Sequence, residues 1–133
     1  TGVQTCALPI LICGHSHCGA VKSAYEGVPD NAINLKAWLS LIDEALLPVC
    51  QTNEALRKVE QRSIVLQLER LMDYPMVRAA VENKKLTLHG WYYVIEDGEV
   101  HVFDVEKGQF VATHIADNCG TGPYIKHDDC GCN

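Results

Sequence analysis

The sequence is short of positive charge. Its 133 residues hold 11 Lys and Arg against 17 Asp and Glu, a net charge of −6, and the basic residues are scattered. Without a basic stripe there is no field to displace counterions from phosphates, so no nucleic acid partner is expected. Long apolar runs are missing too. None reaches the roughly 18 residues of a membrane span, so no membrane partner is expected either. Residues 1–9 lack the basic start of a secretory signal. Cysteine is plentiful, but seven is an odd number and the spacing is uneven, with Cys130 and Cys132 bunched at the end. That is unlike a secreted disulfide framework, and it points to a reducing, cytoplasmic setting with some cysteines given to metal or reactivity. With 47% hydrophobic and 21% charged residues the composition argues against disorder and suits one domain.

The pattern along the chain is α/β. Leu8-Pro9-Ile10-Leu11-Ile12-Cys13 is a short apolar run ending at Gly14, as a buried parallel strand would. Residues 20–26 suit a helix ending at Gly27, and Val28-Pro29-Asp30-Asn31 a turn. Residues 32–47 read as an amphipathic helix with Leu35, Trp38, Leu39, Ile42 and Leu46 on one face and Pro48 as its stop. A third helix is expected over residues 54–72, capped by Asn53, and a fourth over 76–82 after the Tyr74-Pro75 break. Residues 86–95 read as a strand, Glu96-Asp97-Gly98 as a hairpin turn, and residues 100–105 as the returning strand. Beyond Val111 the sequence is loop-like.

One segment carries chemistry. Cys13-Gly14-His15-Ser16-His17-Cys18-Gly19 lies where a strand end meets a helix start, the favoured ligand position in parallel α/β sheets. His15 and Cys18, three residues apart, offer imidazole and sulfur to one metal ion, and both are good zinc ligands. Cys18 also falls at the expected helix N-terminus, where the dipole favours a thiolate. Gly19 leaves the approach free of a Cβ. Cys13 reads instead as a small buried hydrophobe and His17 as a solvated or packing residue. A lone His-x-x-Cys is a weak signal, so a stand-alone zinc-binding or interaction module using His15, His17, Cys18 and Cys13 stays open as an alternative.

The longer string Ile12-Cys13-Gly14-His15-Ser16-His17-Cys18-Gly19-Ala20 resembles the second zinc motif of β-class carbonic anhydrases. Further blocks resemble the family in the same order: Asn34-Leu35-Lys36-Ala37-Trp38-Leu39, Gln67-Leu68 with Tyr74-Pro75-Met76-Val77, and Leu88-His89-Gly90-Trp91-Tyr92-Tyr93 with Gly98-Glu99-Val100. Trp38, Leu68 and Trp91 are expected in the core, and His89 as a satisfied strand histidine. The resemblance implies a partial β-carbonic anhydrase fold, with a short, mainly parallel sheet flanked by helices and a C-terminal hairpin. It implies a lyase, carbonate dehydratase, that hydrates carbon dioxide reversibly to bicarbonate and a proton and works as a homodimer or higher homo-oligomer. It also implies Zn2+ held by two cysteines and a histidine, of which His15 and Cys18 are two. In the three-histidine carbonic anhydrases zinc lowers the pKa of its bound water from about 15.7 to about 7, and the same use of the metal is implied here. The Gly19 amide matches a family position that donates to a substrate oxygen.

The other family cysteine belongs to an upstream Cys-x-Asp-x-Arg motif, and no such motif occurs here. Cys6-Ala7-Leu8-Pro9-Ile10 has neither the Asp nor the Arg. Residues 1–10 read as the translation of a sequencing adapter, residues 11–112 as a carbonic anhydrase domain without its N-terminal part, and residues 113–133 as a loop-like tail. The short chain is therefore expected to be inactive or weakly active. Cys119, His127, Cys130 and Cys132 in the tail match no zinc spacing.

Overall fold

The computed structural model describes residues 7–48 and 50–113. Nine elements follow one another: β1 (Leu8–His15), α1 (Gly19–Glu26), α2 (Ile33–Leu39), a 3₁₀ segment (Ser40–Ala45), α3 (Asn53–Asp73), α4 (Pro75–Glu82), β2 (Leu86–Val94), β3 (Glu99–Asp104) and β4 (Gln109–Ala112). The class is α/β, as the sequence pattern predicts. The four strands form one sheet in the order β1-β2-β3-β4. β1 and β2 run parallel from Leu8↔Leu86 to His15↔Tyr93, while β2–β3 and β3–β4 are antiparallel, so the sheet is mixed. β4 follows a second tight turn with Gly108 at φ 65°, a return that a four-residue strand is too short to announce in sequence. Among the described residues no helix is long and apolar enough to cross a membrane.

α3 is the organising helix. Thr52, not Asn53, caps it, its side chain accepting the Ala55 amide at 3.2 Å. Glu54 and Arg70 sit at the ends that suit their charges. One side of α3 packs Ile64 and Leu68 against Leu88, Tyr92, Val94 and Val81 of α4. The other packs Val59 against Val21 of α1 and Ala45. Approach to the sheet is unusually close: a Cβ at Gly14 would lie 2.7 Å from Ile64 Cδ1, and one at Gly90 would lie 2.9 Å from Leu68 Cδ1.

The segment 32–47 departs from expectation. It splits into α2 and the 3₁₀ segment, and the Ser40 hydroxyl bonds the Ala37 carbonyl at 2.7 Å, competing with the helical ladder at the break. Leu39 and Ala45 are buried, but Trp38 is 64% exposed because no element lies over it among the described residues. The sheet explains two further corrections. Its Leu88, Gly90, Tyr92 and Val94 face is covered by helices, whereas Leu11, Cys13, Trp91 and Tyr93 on the opposite face are exposed. Cys13 is thus not a buried hydrophobe, and Trp91 is not in the core; Leu68 is.

Gly90→Ala puts its methyl against Leu68, Ile64 and the Phe103 Cβ at 2.9, 3.1 and 3.4 Å. Overpacking of this kind costs about 1–3 kcal/mol. Urea unfolding of the variant is expected to show a lower midpoint with an unchanged slope.

Candidate functional site

The site grows from the carboxyl end of β1. The Ser16 amide still donates to the Tyr93 carbonyl at 2.9 Å, continuing the parallel pairing. The chain then turns: His17 takes a left-handed conformation with φ 55°, and Cys18 becomes the N-cap of α1. His15, His17, Cys18 and Gly19 therefore lie on one tight strand-to-helix turn, as the motif predicts.

His15 is exposed, and its ring is oriented by the chain itself. Nδ1 lies 2.8 Å from the Ser16 carbonyl oxygen, which can only accept, so Nδ1 carries the proton and the Nε2 lone pair is left free. A metal-binding histidine is commonly held in this way. Cys18 is half-buried, forms no disulfide and makes no capping bond with its side chain. His15 and Cys18 offer two of the donor types that zinc takes, an imidazole nitrogen and a sulfur. Among the described residues no group of three or more His, Cys, Asp or Glu is placed to hold a metal ion, so the set is incomplete. His17 does not join it, because its Nε2 donates to Glu96 Oε1 at 2.6 Å. Cys119, His127, Cys130 and Cys132 lie outside the described residues, as does Cys6.

Two carboxylates, neither of them singled out by the motif, hold the turn. Glu96, in the β2–β3 turn, accepts from the buried Ser16 hydroxyl at 2.7 Å, from His17 and from Arg57 Nη2 at 3.0 Å. The Ser16 oxygen in turn accepts the Ile95 amide at 2.8 Å. Glu60, inside α3, accepts the Cys18 amide at 2.9 Å and the Tyr92 hydroxyl at 2.6 Å. Burial, and then the bond to Glu60, holds the Tyr92 phenol above its ordinary pKa, so it stays a donor. Ser16, His17, Cys18, Arg57, Glu60 and Glu96 share a cleft of about 750 Å³. Glu60 left no trace in the sequence that sets it apart from the other charged residues of its helix. Glu96 left none beyond its hairpin turn. His89 is a satisfied strand histidine, bonded to Thr87 Oγ1 at 2.9 Å.

Comparison with known proteins places this arrangement. A family profile described as carbonic anhydrase matches residues 4–100. Carbonic anhydrase 1 of Escherichia coli O157:H7 is 34% identical over 108 residues, covering 77% of this chain and 49% of that protein. A carbonic anhydrase of Synechocystis sp. is 31% identical over 111 residues, covering 77% of this chain and 40% of the relative. The chain thus spans about half the length of the curated relatives it matches. Among solved structures the β-carbonic anhydrase CcaA superposes with a TM-score of 0.69 at 27% identity, over 87% of this chain and 55% of that one. A tetrameric β-carbonic anhydrase of Sordaria macrospora shares the fold, with a TM-score of 0.62 at 24% identity over 71% of this chain and 51% of its own.

The electrostatics of Glu96 are open to measurement. Its own backbone amide, then the Ser16 hydroxyl and His17, lower its carboxyl pKa from 4.5 to about 2. The folded state therefore favours the charged form. Its stabilising contribution is complete above pH 4.5 and is lost as the pH falls from 4.5 toward 2. Carboxyl NMR titration should give a Glu96 midpoint near 2, and Ser16→Ala should move it upward toward 4.5.

Proposed function

This chain belongs to the β-class carbonic anhydrase family, and we propose that the enzyme it represents hydrates carbon dioxide reversibly to bicarbonate and a proton, with zinc as its cofactor. The observation that carries the reading is the His15–Cys18 turn at the carboxyl end of the parallel β1–β2 pair, with the His15 Nδ1 proton spent on the Ser16 carbonyl at 2.8 Å. His15 Nε2 and the Cys18 sulfur would hold the metal. Bound zinc supplies a Lewis acid that makes water a nucleophile near neutral pH. The remaining work belongs to the chain. Gly19, the first residue of α1, presents a backbone amide with no earlier helical acceptor, and that amide donates to a substrate oxygen. The α1 dipole favours negative charge at the same end, both on the Cys18 sulfur and on bicarbonate. Glu96, Arg57 and Ser16 keep the turn in shape.

The stand-alone zinc module is not favoured by the geometry, since His17 is engaged with Glu96 and no group of three or more donors among the described residues is placed to hold a metal ion; Cys13, like His15, lies on the open sheet face. That face, with Trp91 and Tyr93 exposed, offers apolar surface for a homodimer or higher homo-oligomer. A cytoplasmic location is part of the same proposal. Among the described residues, two donors fall short of the three protein ligands a catalytic zinc takes. This chain by itself is therefore expected to bind zinc weakly and to hydrate carbon dioxide poorly.

Zinc stoichiometry and hydration rate should be compared between this chain and one extended upstream by a Cys-x-Asp-x-Arg segment of the family. One zinc per chain and a large gain in hydration are expected on extension, with Cys18→Ser abolishing both. Metal uptake without hydration would sink the enzyme reading. Tight one-to-one zinc binding by the short chain, lost in Cys18→Ser, would favour the stand-alone module.

A further inference from the structure

Glu60 is the one buried charged side chain among the described residues, 6% exposed, and no cation is bonded to it. Arg57, one turn earlier on α3, is spent on Glu96. Both Glu60 oxygens accept instead from neutral donors, Oε1 from the Cys18 amide at 2.9 Å and Oε2 from the Tyr92 hydroxyl at 2.6 Å. A backbone amide can only donate, and Tyr92, fully buried, stays protonated. A carboxylate in such a place costs more than an apolar side chain of the same size would, so packing does not explain it.

The N-terminus of α1 does. An N-cap residue ordinarily turns its own side chain back onto the helix amides, and a Glu three residues later reaches back to the N-cap amide. In α1 neither happens. Cys18 makes no side-chain capping bond, and the residue three further on is Val21, buried in the core. Glu60 supplies the missing carboxylate from another helix, 42 residues away in sequence. The Cys18 main chain is fixed while its sulfur is left uncommitted. The close seating of α3 at Gly14, where a Cβ would meet Ile64, brings Glu60 within reach.

We infer that Glu60, braced by Tyr92, is a positioning residue that takes over the capping of α1 so that Cys18 can present its sulfur to the metal beside His15. The inference rests on the proposed zinc reading of His15 and Cys18, and its test separates the two. Glu60→Gln keeps the size but leaves one oxygen for two donors; Tyr92→Phe removes only the brace. The first readout, on the metal-free chain, is amide hydrogen exchange at Cys18. The second, on the chain extended upstream by the Cys-x-Asp-x-Arg segment, is a cobalt(II) titration followed by sulfur-to-cobalt charge-transfer absorption. Glu60→Gln should speed Cys18 exchange and weaken cobalt binding by roughly 10- to 100-fold, as loss of a ligand's supporting hydrogen bond does elsewhere. Tyr92→Phe should move both in the same direction by less.

Unchanged exchange and affinity in Glu60→Gln would overturn the inference. Should Glu60→Gln fail to fold, Tyr92→Phe decides, and wild-type behaviour there overturns it. Failure of the unsubstituted extended chain to take up cobalt would count against the zinc reading. Exchange at Cys18 would then still decide whether Glu60 caps α1, with unchanged exchange overturning that too.

Discussion

The seating of α3 on the sheet is the constraint from which the rest follows. Gly14 and Gly90 let Ile64 and Leu68 drop onto β1 and β2 at distances a Cβ would forbid. Two cores form on either side of that helix, one against the sheet and α4, the other against α1 and the 3₁₀ segment. The same approach carries Glu60 to the start of α1 and Arg57 to the β2–β3 turn. Packing and site geometry are thus one arrangement. Gly14, embedded in the Cys13–Gly19 segment, serves helix packing as much as the turn that follows it.

Around the turn, charge is handled by pairing rather than by exposure alone. Glu96 gathers three donors, two from the turn after β1 and one from α3, and its carboxyl is held near pKa 2 by amide and hydroxyl hydrogen bonds. Glu60 is shielded from water and held by neutral donors. The outer carboxylate fixes Ser16 and His17, the inner one fixes Cys18. Between them they define the path of the backbone that aims the His15 ring and the Cys18 sulfur.

Much of this was legible in the sequence, and what was not has physical reasons. β1, α1, α3, α4 and the β2–β3 hairpin announced themselves through periodicity and through Gly27, Pro75 and Gly98 as breakers. The stripe in residues 32–47 was real, but periodicity says only that a face is apolar, not that something covers it, and Trp38 stays in solvent. Cys13 and Trp91 misled for the same reason: alternation along a strand does not say which sheet face is covered. His15 and Cys18 stood out because a His-x-x-Cys turn is local. Ser16, Glu60, Tyr92 and Glu96 did not, because their contacts span 32 to 80 residues and leave no spacing to read.

That separation has a consequence for biosynthesis. β1 finds its parallel partner only when β2 exists, and Ser16 meets Glu96 only after a further turn, 80 residues on. Closing so long a loop is entropically unfavourable and slow. On a ribosome that releases the chain from its N-terminal end, the potential metal ligands emerge before the groups that orient them. During that interval the thiol of Cys18 and the bare edge of β1 are exposed to chaperones, oxidants and stray metal alike.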